Sequence, residues 1–414
     1  MSAGQGDVVD GAMSGVPTAV GGQFDAGLRN GLLALRRDLH QHPELSFAEA
    51  RTAAQLEAAI RQFATPAGDT VSVQQVAGTG LVARIPGLSR SAPVVAIRGD
   101  IDALPIQEDT GLPYASVNAG VMHACGHDVH ATWAIGAASL LARRPAHGDV
   151  LIVLQPAEEI GEGASAILAS DALDGVSAIF GAHVDRRFPV GQVVAQAGSL
   201  AAAADTFSIT LRGRGAHGAR PHESADPILG AGMLVVALQS VVSRRVNPSV
   251  PAVLTVATLQ AGTASNIIPD HATIGGTLRT IDPQTRTLVA EEVRRIAHGI
   301  AATHGLEADV RIELGPPPIV NPEREAMWAH AAAVSLVGSN NVVPLGITNM
   351  GGEDFAYYME RIPGAFLRIG AREAGGEPTP AHSPKFFADD GALFIGAAVL
   401  AETARRASAA LATR

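Results

Sequence analysis

Cysteine is nearly absent from this chain: Cys125 is the only one in 414 residues. A single thiol cannot form an internal disulfide, which excludes the class of small secreted domains that disulfides hold together. A free thiol also suits a reducing compartment, so we expect a cytoplasmic protein. The N-terminus shows no basic segment followed by an apolar core, so no secretory signal is expected. No apolar run reaches about 18 uninterrupted residues, so we expect neither a transmembrane helix nor a membrane partner.

Positive charge is also scarce, since 30 basic residues face 40 acidic ones and the net charge is −10. This balance excludes the basic footprint of a nucleic-acid-binding protein. A hydrophobic content of 47% and a charged content of 17% are typical of a globular chain, and the length suits two domains. Residues 1–23 are rich in glycine, serine, valine and alanine without periodicity, and we expect a flexible tail there.

Three short apolar segments each lead into residues that can bind a cation. Val94–Ile97 leads to Asp100 and Asp102, Val150–Leu154 to Glu158 and Glu159, and Ala178–Ala182 to His183. Such runs are typical of strands that are buried on both faces, and helical stretches lie between them. Strand–helix alternation predicts a parallel α/β sheet, and these sheets bind ligands beyond the carboxyl ends of their strands.

The pattern changes near residue 200. Residues 200–314 alternate as strand, helix, strand, strand, helix and strand, which predicts a compact two-layer α+β unit of the split βαβ type. Beyond it the chain returns to strand–helix alternation. We therefore expect an α/β catalytic, metal-binding domain with a mainly parallel central sheet, formed by residues 24–197 and 315–414. An inserted βαββαβ domain is expected over residues 198–314.

Possible metal ligands surround the single cysteine. Cys125 and His127 lie two positions apart, and a thiolate beside an imidazole suits a borderline-soft cation such as zinc. The alternative interpretation of a lone cysteine is a small buried apolar residue. Together with the strand ends, the sequence offers five donors for one site with two metals: Cys125, His127, Glu159, His183 and His382. Cys125 is the expected bridge, because a thiolate sulfur has lone pairs for two cations.

Two acids beside these donors are expected to serve catalysis. Glu158 and Glu159 are adjacent, and their side chains should diverge after a strand. Glu159 can then bind metal while Glu158 acts as general base for a metal-activated water. Two exposed acids at the start of a loop are the alternative. Asp102 is placed to orient a ligand imidazole, with a turn residue before Pro105 as the alternative.

The inserted domain contributes three further candidates. His217 lies in the glycine-rich loop 213–218, where a donor that closes over the site can stabilise an oxyanion. A solvated loop histidine is the alternative. Asn266 and Arg279 are candidate substrate-binding residues, and Arg279 suits a bidentate grip on a substrate carboxylate. The other histidines near these motifs are interpreted as capping or supporting groups: His40, His42, His123 and His130.

Six segments occur in a characteristic order along the chain. They are 39–45 (LHQHPEL), 100–105 (DIDALP), 123–128 (HACGHD), 155–159 (QPAEE), 181–184 (GAHV) and 351–355 (GGEDF). In this order they resemble the amidohydrolase branch of the aminoacylase/carboxypeptidase family of dinuclear metallopeptidases. That branch contains hippurate hydrolases, N-acyl-amino-acid amidohydrolases and auxin-conjugate hydrolases, and the resemblance extends from about residue 28 to residue 405.

The resemblance implies two divalent metal ions per subunit, held by the five donors, with Glu158 as base and Asp102 as orienting acid. Zinc suits the thiolate, and manganese, cobalt or nickel are alternatives. The resemblance also implies a homodimer in which residues 198–314 form the lid and dimerisation domain. In that family the histidine matching His217 often reaches the active site of the other subunit, and Asn266 and Arg279 match lid positions that bind substrate.

We therefore expect a metal-dependent amidohydrolase that cleaves a small N-acyl amino acid into a carboxylate and a free amino acid. Three alternatives remain: a dipeptidase or carboxypeptidase with the same site, a non-catalytic protein that binds a small carboxylate, and a structural zinc protein, which one cysteine fits poorly. One segment departs from the family, which often has an aromatic residue and proline after the histidine matching His183. Arg186 and Arg187 there are interpreted as solvated, with selection of an anionic acyl group as the alternative.

Overall fold

The structure is a computed structural model that describes residues 13–413. Its strands are β1 (Ser72–Val76), β2 (Gly80–Ile85), β3 (Val94–Asp100), β4 (Val150–Gln155), β5 (Val176–Pro189), β6 (Val193–Val194), β7 (Gly198–Ala201), β8 (Ala203–Arg212), β9 (Ala216–His217), β10 (Ala252–Ala261), β11 (Ile267–Ile268), β12 (His271–Thr280), β13 (Glu307–Glu313), β14 (Ile319–Asn321) and β15 (Gly364–Arg372). Its helices are α1 (Thr18–Gly21), α2 (Ala26–Gln41), α3 (Ala50–Ile60), α4 (His127–Arg143), α5 (Gly163–Leu168), α6 (Pro227–Ser240), α7 (Pro283–Thr303), α8 (Glu323–Val337), α9 (Phe355–Met359) and α10 (Gly391–Ala412).

The chain divides into two compact units. The first comprises the chain up to Gly198, then Asn321–Gly346, and the remainder from Tyr357; the second comprises Ser199–Val320 and Ile347–Ala356. The second unit thus extends beyond the expected boundary at residue 314 and includes residues 315–320 and 347–356. Backbone hydrogen bonds hold both of these later segments in it. The Ala204 N–H donates to the Pro316 carbonyl at 3.1 Å, and the Ala202 N–H donates to the Asn349 carbonyl at 3.2 Å.

The N-terminal segment is more ordered than the sequence suggests. Of the tail expected over residues 1–23, residues 1–12 lie outside the described part of the chain. The rest of that prediction is wrong, because residues 18–21 form α1 and Val20 is fully buried in the core of the first unit. The short α1 has no helical periodicity to reveal it, and burial of Val20 and nearby Phe24 stabilises the segment.

The first unit is built on a seven-stranded sheet in the order β1-β2-β4-β3-β5-β15-β6. The four strands β4, β3, β5 and β15 are parallel to one another, whereas β1, β2 and β6 join antiparallel. The α/β class is confirmed, but the sheet is mixed and is parallel only in its centre. Helix α4 is buried along nearly its whole length, as a helix enclosed between a sheet and other helices must be.

The second unit has a four-stranded antiparallel sheet in the order β10-β12-β8-β13. Helices α6 and α7 pack on it around an apolar core that includes Ile209, Leu234 and Val293. The βαββαβ order predicted from the sequence is confirmed. It arises because apolar residues alternate along the strands and recur at helical spacing between them.

One helical stretch, Pro227–Arg245, is long and apolar enough to cross a membrane by length and composition alone. No transmembrane helix was expected from the sequence. It is one-third buried, and it includes α6, whose Ala231, Leu234 and Leu238 lie in the core of the second unit. Core helices of globular domains share this composition, so a single such helix is weak evidence for a membrane span.

Candidate metal centre

All five donors predicted from the sequence lie in the first unit, and the fold brings them together. The ligand atoms of Cys125, His127 and His183 lie within 4.8 Å of one another, and so do those of Cys125, Glu159 and His382. Cys125 is common to both triads. Because β3, β4 and β5 are parallel neighbours, the residues that follow or end them meet at one edge of the sheet.

His127 is held by Asp102. Its Nδ1 lies 2.9 Å from the Asp102 carbonyl oxygen and 3.2 Å from Asp102 Oδ1, so Nδ1–H donates and Nε2 faces the donors. Burial lowers the pKa of His127, but Asp100, Asp102 and Cys125 outweigh burial and raise this pKa well above its usual value, so a metal ion would have to displace the Nε2 proton. Burial opposes ionisation of Asp102, but the interactions with His127, the Glu159 N–H and the Ser46 hydroxyl together outweigh burial and lower the pKa of this carboxyl. The structure thus places Asp102 where an orienting acid has to be.

His183 is held by its own chain. Its Nδ1 donates to the Val184 carbonyl at 2.7 Å, which leaves the Nε2 lone pair 3.2 Å from Cys125 Sγ. Burial, together with the neighbouring His130, holds the pKa of His183 well below its usual value. A neutral imidazole with a fixed lone pair is the form that binds a metal.

Cys125 precedes Gly126, which has a backbone conformation that residues with a side chain rarely adopt. Gly126 has φ +91°, and a Cβ there would lie 2.5 Å from Val184 Cγ2. This residue is the N-cap of α4, which begins at His127. Burial and the nearby Glu159 carboxylate raise the pKa of the Cys125 thiol, so a cation is needed to hold the thiolate.

His382 comes from a distant loop and is also held in a constrained conformation. Its φ is +65°, which is rare outside glycine, and its backbone N–H donates to the Ala124 carbonyl at 2.8 Å. Its Nε2 lies 3.3 Å from Glu159 Oε2, and this contact raises the pKa of His382. The side chain is 54% exposed, so this flank of the donor cluster is accessible.

Two buried polar atoms in the donor cluster support its assignment as a metal centre. Among the residues that the structure describes, His127 Nε2 and Glu159 Oε1 are buried without a hydrogen-bond partner. Buried polar atoms without partners are costly, and here they face a thiol and each other, with 3.8 Å between them. Thiol, imidazole and carboxylate together suit zinc and related divalent cations.

Glu158 and Glu159 leave the end of β4 through a strained turn. Ala157 has φ +54°, and its N–H donates to Oε1 of the buried Glu49 at 3.0 Å. The Glu159 N–H donates to Asp102 Oδ2 at 3.0 Å. Glu158 Oε2 lies 3.9 Å from His127 Nε2, so the carboxylates of both acids lie beside the donor cluster.

Several supporting residues were missed from the sequence. Glu49 supports the turn before Glu158, and Ser46 donates to Asp102 Oδ2 at 2.7 Å. Neither has a local signal, because each lies more than fifty positions from its partner. The solvated interpretation of Arg186 is wrong: its guanidinium is buried and pairs with Glu373 at 2.7 Å.

In the second unit, His217 and Asn266 come together. Both line a cavity of about 870 Å³, and the Gly218 N–H donates to the Asn266 carbonyl at 2.8 Å. His217 Nδ1 accepts from the Ala219 N–H at 3.0 Å, so Nε2 carries the proton and can donate. Arg279 does not line this cavity.

Arg279 lies at the other end of the second unit's sheet. Strand β12 pairs His271 with Arg212 at the end near the cavity, and Arg279 with Ala204 at the far end. Arg279 lies eight positions after His271 along the strand, a distance of about 26 Å. The structure therefore does not bring together all three candidates from this unit.

Comparison with known proteins gives concordant results. Residues 96–406 match the model of Peptidase family M20/M25/M40. An N-acetylcysteine deacetylase of Bacillus subtilis (strain 168) is 41% identical over 92% of this chain and 97% of its own length. An IAA-amino acid hydrolase of Arabidopsis thaliana is 36% identical over 91% of this chain and 86% of its own.

A solved structure shows the same fold. The crystal structure of a dinuclear metal-binding peptidase of the M20 family from Bacillus subtilis matches with a TM-score of 0.80 at 38% identity, covering 92% of this chain and 98% of that one. Together with the donor cluster, these similarities make the protein a metal-dependent hydrolase of linear amides. The chain belongs to peptidase family M20/M25/M40.

Proposed function

We propose that this enzyme hydrolyses N-acyl amino acids to a carboxylate and a free amino acid. The observation that carries the proposal is the pair of ligand triads that share Cys125, with Glu158 beside them. Relatives named as an N-acetylcysteine deacetylase and an IAA-amino acid hydrolase act on substrates of this class. The cytoplasm is the proposed location, because a single thiol that must bind metal requires a reducing compartment.

Two divalent cations, with zinc as the first candidate, would be held by Cys125, His127, Glu159, His183 and His382. Bound there, they would polarise the scissile carbonyl and lower the pKa of a water molecule toward about 7. Asp102 and the Val184 carbonyl hold the Nδ1–H groups of His127 and His183, so the Nε2 atoms of both imidazoles are already directed toward the other donors.

Glu158 is the proposed general base. Its carboxylate accepts a proton from the attacking water and delivers it to the amide nitrogen as the carbon–nitrogen bond breaks. The side chain is about 11% exposed, so it is partly shielded from solvent but reachable by substrate. Glu49 and Asp102 hold the backbone on either side of Glu158, which fixes the position from which it acts.

Residues of the second unit are proposed to bind the substrate. Arg279 suits the substrate carboxylate, Asn266 supports its polar groups, and the Nε2–H of His217 donates to the developing oxyanion. Because His217 lines the cavity near one end of β12 and Arg279 lies at the other end of that strand, a site that uses both residues is proposed to take them from two subunits.

A homodimer that forms through the second unit meets this requirement. Helix α6 exposes four large apolar side chains: Ile228, Leu229, Met233 and Val236. Val236 is 69% exposed, and the neighbouring strand β10 is an edge strand with exposed Val253 and Leu259. Isologous pairing of two such faces would bury the apolar side chains and satisfy the strand edge.

A substrate panel tests the proposal. Acetyl, benzoyl and aminoacyl derivatives of one amino acid are assayed after metal-free protein is reloaded with zinc, manganese, cobalt or nickel. Hydrolysis of the acyl derivatives is expected. Preference for the aminoacyl derivative would instead indicate a peptidase. This alternative is included because one relative, 33% identical, is named a thermostable carboxypeptidase.

The variant Glu158→Gln tests the base. We expect it to retain metal content and to lose turnover by about 10²–10⁴-fold. The matched control is Glu162→Gln, which changes an exposed acid in the following turn and should leave turnover unchanged. Full activity of Glu158→Gln would remove Glu158 as base, and absence of hydrolysis across the panel in metal-loaded wild-type protein would favour a non-catalytic binding protein.

A further inference from the structure

His130 is a buried histidine that the mechanism above does not use. It lies one turn into α4, and both of its ring nitrogens have partners. Its Nδ1 lies 2.6 Å from Asp100 Oδ1, and its Nε2 lies 3.0 Å from the Val184 backbone nitrogen. A buried imidazole with two assigned partners is fixed in both orientation and protonation.

The partners determine which nitrogen carries the proton. The Val184 N–H is a donor, so His130 Nε2 must supply a lone pair. Asp100 forms a buried ion pair with Arg98 and accepts from the opposite nitrogen, so Nδ1 carries the hydrogen. His130 is thereby the neutral Nδ1–H tautomer, with a defined donor side and a defined acceptor side.

Packing holds the ring in this position. The Trp133 ring stacks on it with 4.5 Å between centroids and 21° between planes. Close approach of α4 to β3 is possible only because residue 99 is glycine: a Cβ there would lie 2.5 Å from the His130 carbonyl oxygen. This contact sets the distance between His130 and Asp100.

Val184 connects His130 to the donor cluster. Its carbonyl accepts the Nδ1–H of His183, and its Cγ2 occupies the space that a side chain at residue 126 would need. The N–H and the carbonyl of Val184 belong to the two peptide groups on either side of its Cα, so the backbone conformation of this one residue couples His130 to His183. His130 binds the N–H of Val184, while His183 binds its carbonyl.

We propose that His130 is a positioning residue that fixes Val184 and thereby directs the Nε2 lone pair of His183 toward Cys125. The inference rests on the proposed metal-binding role of the five donors and assigns how one of them is oriented. Supporting groups of this kind contribute to metal affinity, because a ligand that is already oriented loses less freedom on binding.

Two substitutions separate positioning from packing. In His130→Gln the side-chain carbonyl reaches the position of Nε2 and can accept from Val184, whereas in His130→Asn the amide reaches only the position of Nδ1 and serves Asp100. Both remove the ring from Trp133, so both reduce packing. The control is Ser408→Ala, which removes a buried acceptor of the Gly148 N–H, at 2.7 Å, on a different helix.

The measurement is titration of the full metal-free chain with Co²⁺. Cobalt affinity and the thiolate-to-cobalt absorption band are recorded, together with the free energy of unfolding without metal. We expect His130→Asn to lower Co²⁺ affinity about 10–100-fold and to alter the band, while His130→Gln stays within about threefold of wild type. Ser408→Ala should lower the free energy of unfolding and leave Co²⁺ affinity at the wild-type value.

Three outcomes would overturn the assignment. Wild-type cobalt binding by His130→Asn would show that Val184 needs no support. If the Asn and Gln variants lose the same amount of Co²⁺ affinity, in proportion to their loss of stability, His130 acts only through packing. Wild-type chain that binds no Co²⁺ would overturn the proposed metal centre itself, and this result differs from failure of the variants alone.

Discussion

The Nδ1–H of His127 donates to Asp102, whose carbonyl oxygen lies 2.9 Å away and whose Oδ1 lies 3.2 Å away. The other carboxylate oxygen accepts the Glu159 N–H, so one acidic residue supports two proposed ligands, one at the start of α4 and one in the turn after β4. The pKa of this carboxyl is lowered despite burial, so it remains an acceptor over the working pH range.

Replacement of Asp102 is expected to weaken metal binding. Asp102→Asn keeps the volume but removes the charge and one acceptor, so His127 is less firmly oriented. We expect about a 10–100-fold loss of metal affinity, measured by competition with a chelator, and a comparable loss of turnover. The exposed Asp174→Asn variant, at the opposite end of the sheet, is the control. Wild-type affinity in Asp102→Asn would contradict the orienting role.

Gly126→Ala is expected to destabilise the protein and disturb the donor cluster. Alanine at φ +91° costs about 1–2 kcal/mol, and displacement of Val184 adds about 1–3 kcal/mol. The measurement is the free energy of unfolding in urea, with metal content as a second readout.

The matched control is Gly111→Ala. Gly111 also has positive φ, +71°, but nothing lies within 4 Å of its added Cβ, so only the backbone term remains. A double-mutant cycle with Val184→Ala should show that the two changes are less than additive. Strict additivity would mean that Val184 does not restrict this position.

The free energy of unfolding is expected to fall as the pH rises, because His40 loses a proton that stabilises the folded chain. Burial alone would lower the pKa of His40, but Asp128 and Glu108 outweigh burial and raise the pKa to about 9 from its usual 6.5. The folded chain thus keeps a proton that the unfolded chain releases. This contribution is complete below about pH 6.5 and is lost as the pH rises toward 9, which amounts to about 3 kcal/mol.

The measurement compares wild type with His40→Gln by urea unfolding between pH 6 and pH 9.5. Their difference in free energy of unfolding should shrink with increasing pH, since only wild type loses this term. Exposed His147→Gln is the control and should show a constant difference. A constant difference for His40→Gln as well would mean that the Asp128 carboxylate does not hold the proton on His40.

Two inactive variants should complement each other if the site is shared between subunits. Glu158→Gln and His217→Ala are each expected to bind metal and to turn over slowly. In mixed dimers one of the two sites keeps both residues, so up to about one-quarter of wild-type activity should return after random re-association.

The control uses the exposed apolar face of α6. Addition of Val236→Asp to both chains places a charge on this face, where the valine is 69% exposed, and should yield monomers on size-exclusion chromatography. Complementation should then be lost. If mixing the two single variants restores nothing while dimers persist, His217 serves the site of its own subunit.

Elements with strong periodicity were predictable from the sequence. The strands at 94–100 and 150–155 each begin with a continuous apolar run, and the helix over 283–303 has regular spacing of its buried residues. The donors after these strands were predictable for the same reason, because parallel strands end at one edge. The antiparallel direction of the strands at the sides of the main sheet could not be predicted, because local patterns do not encode the direction of a neighbouring strand.

Residue types and chain order determined by themselves that this protein is an α/β metal-dependent hydrolase with an inserted domain. Only the tertiary structure decided what orients the donors. The links from Asp100 to His130 and from His130 to Val184 span 30 and 54 positions, and the link from Glu49 to Ala157 spans 108. Such contacts depend on which strands and helices become neighbours, and that is set by burial of the whole core rather than by any local segment.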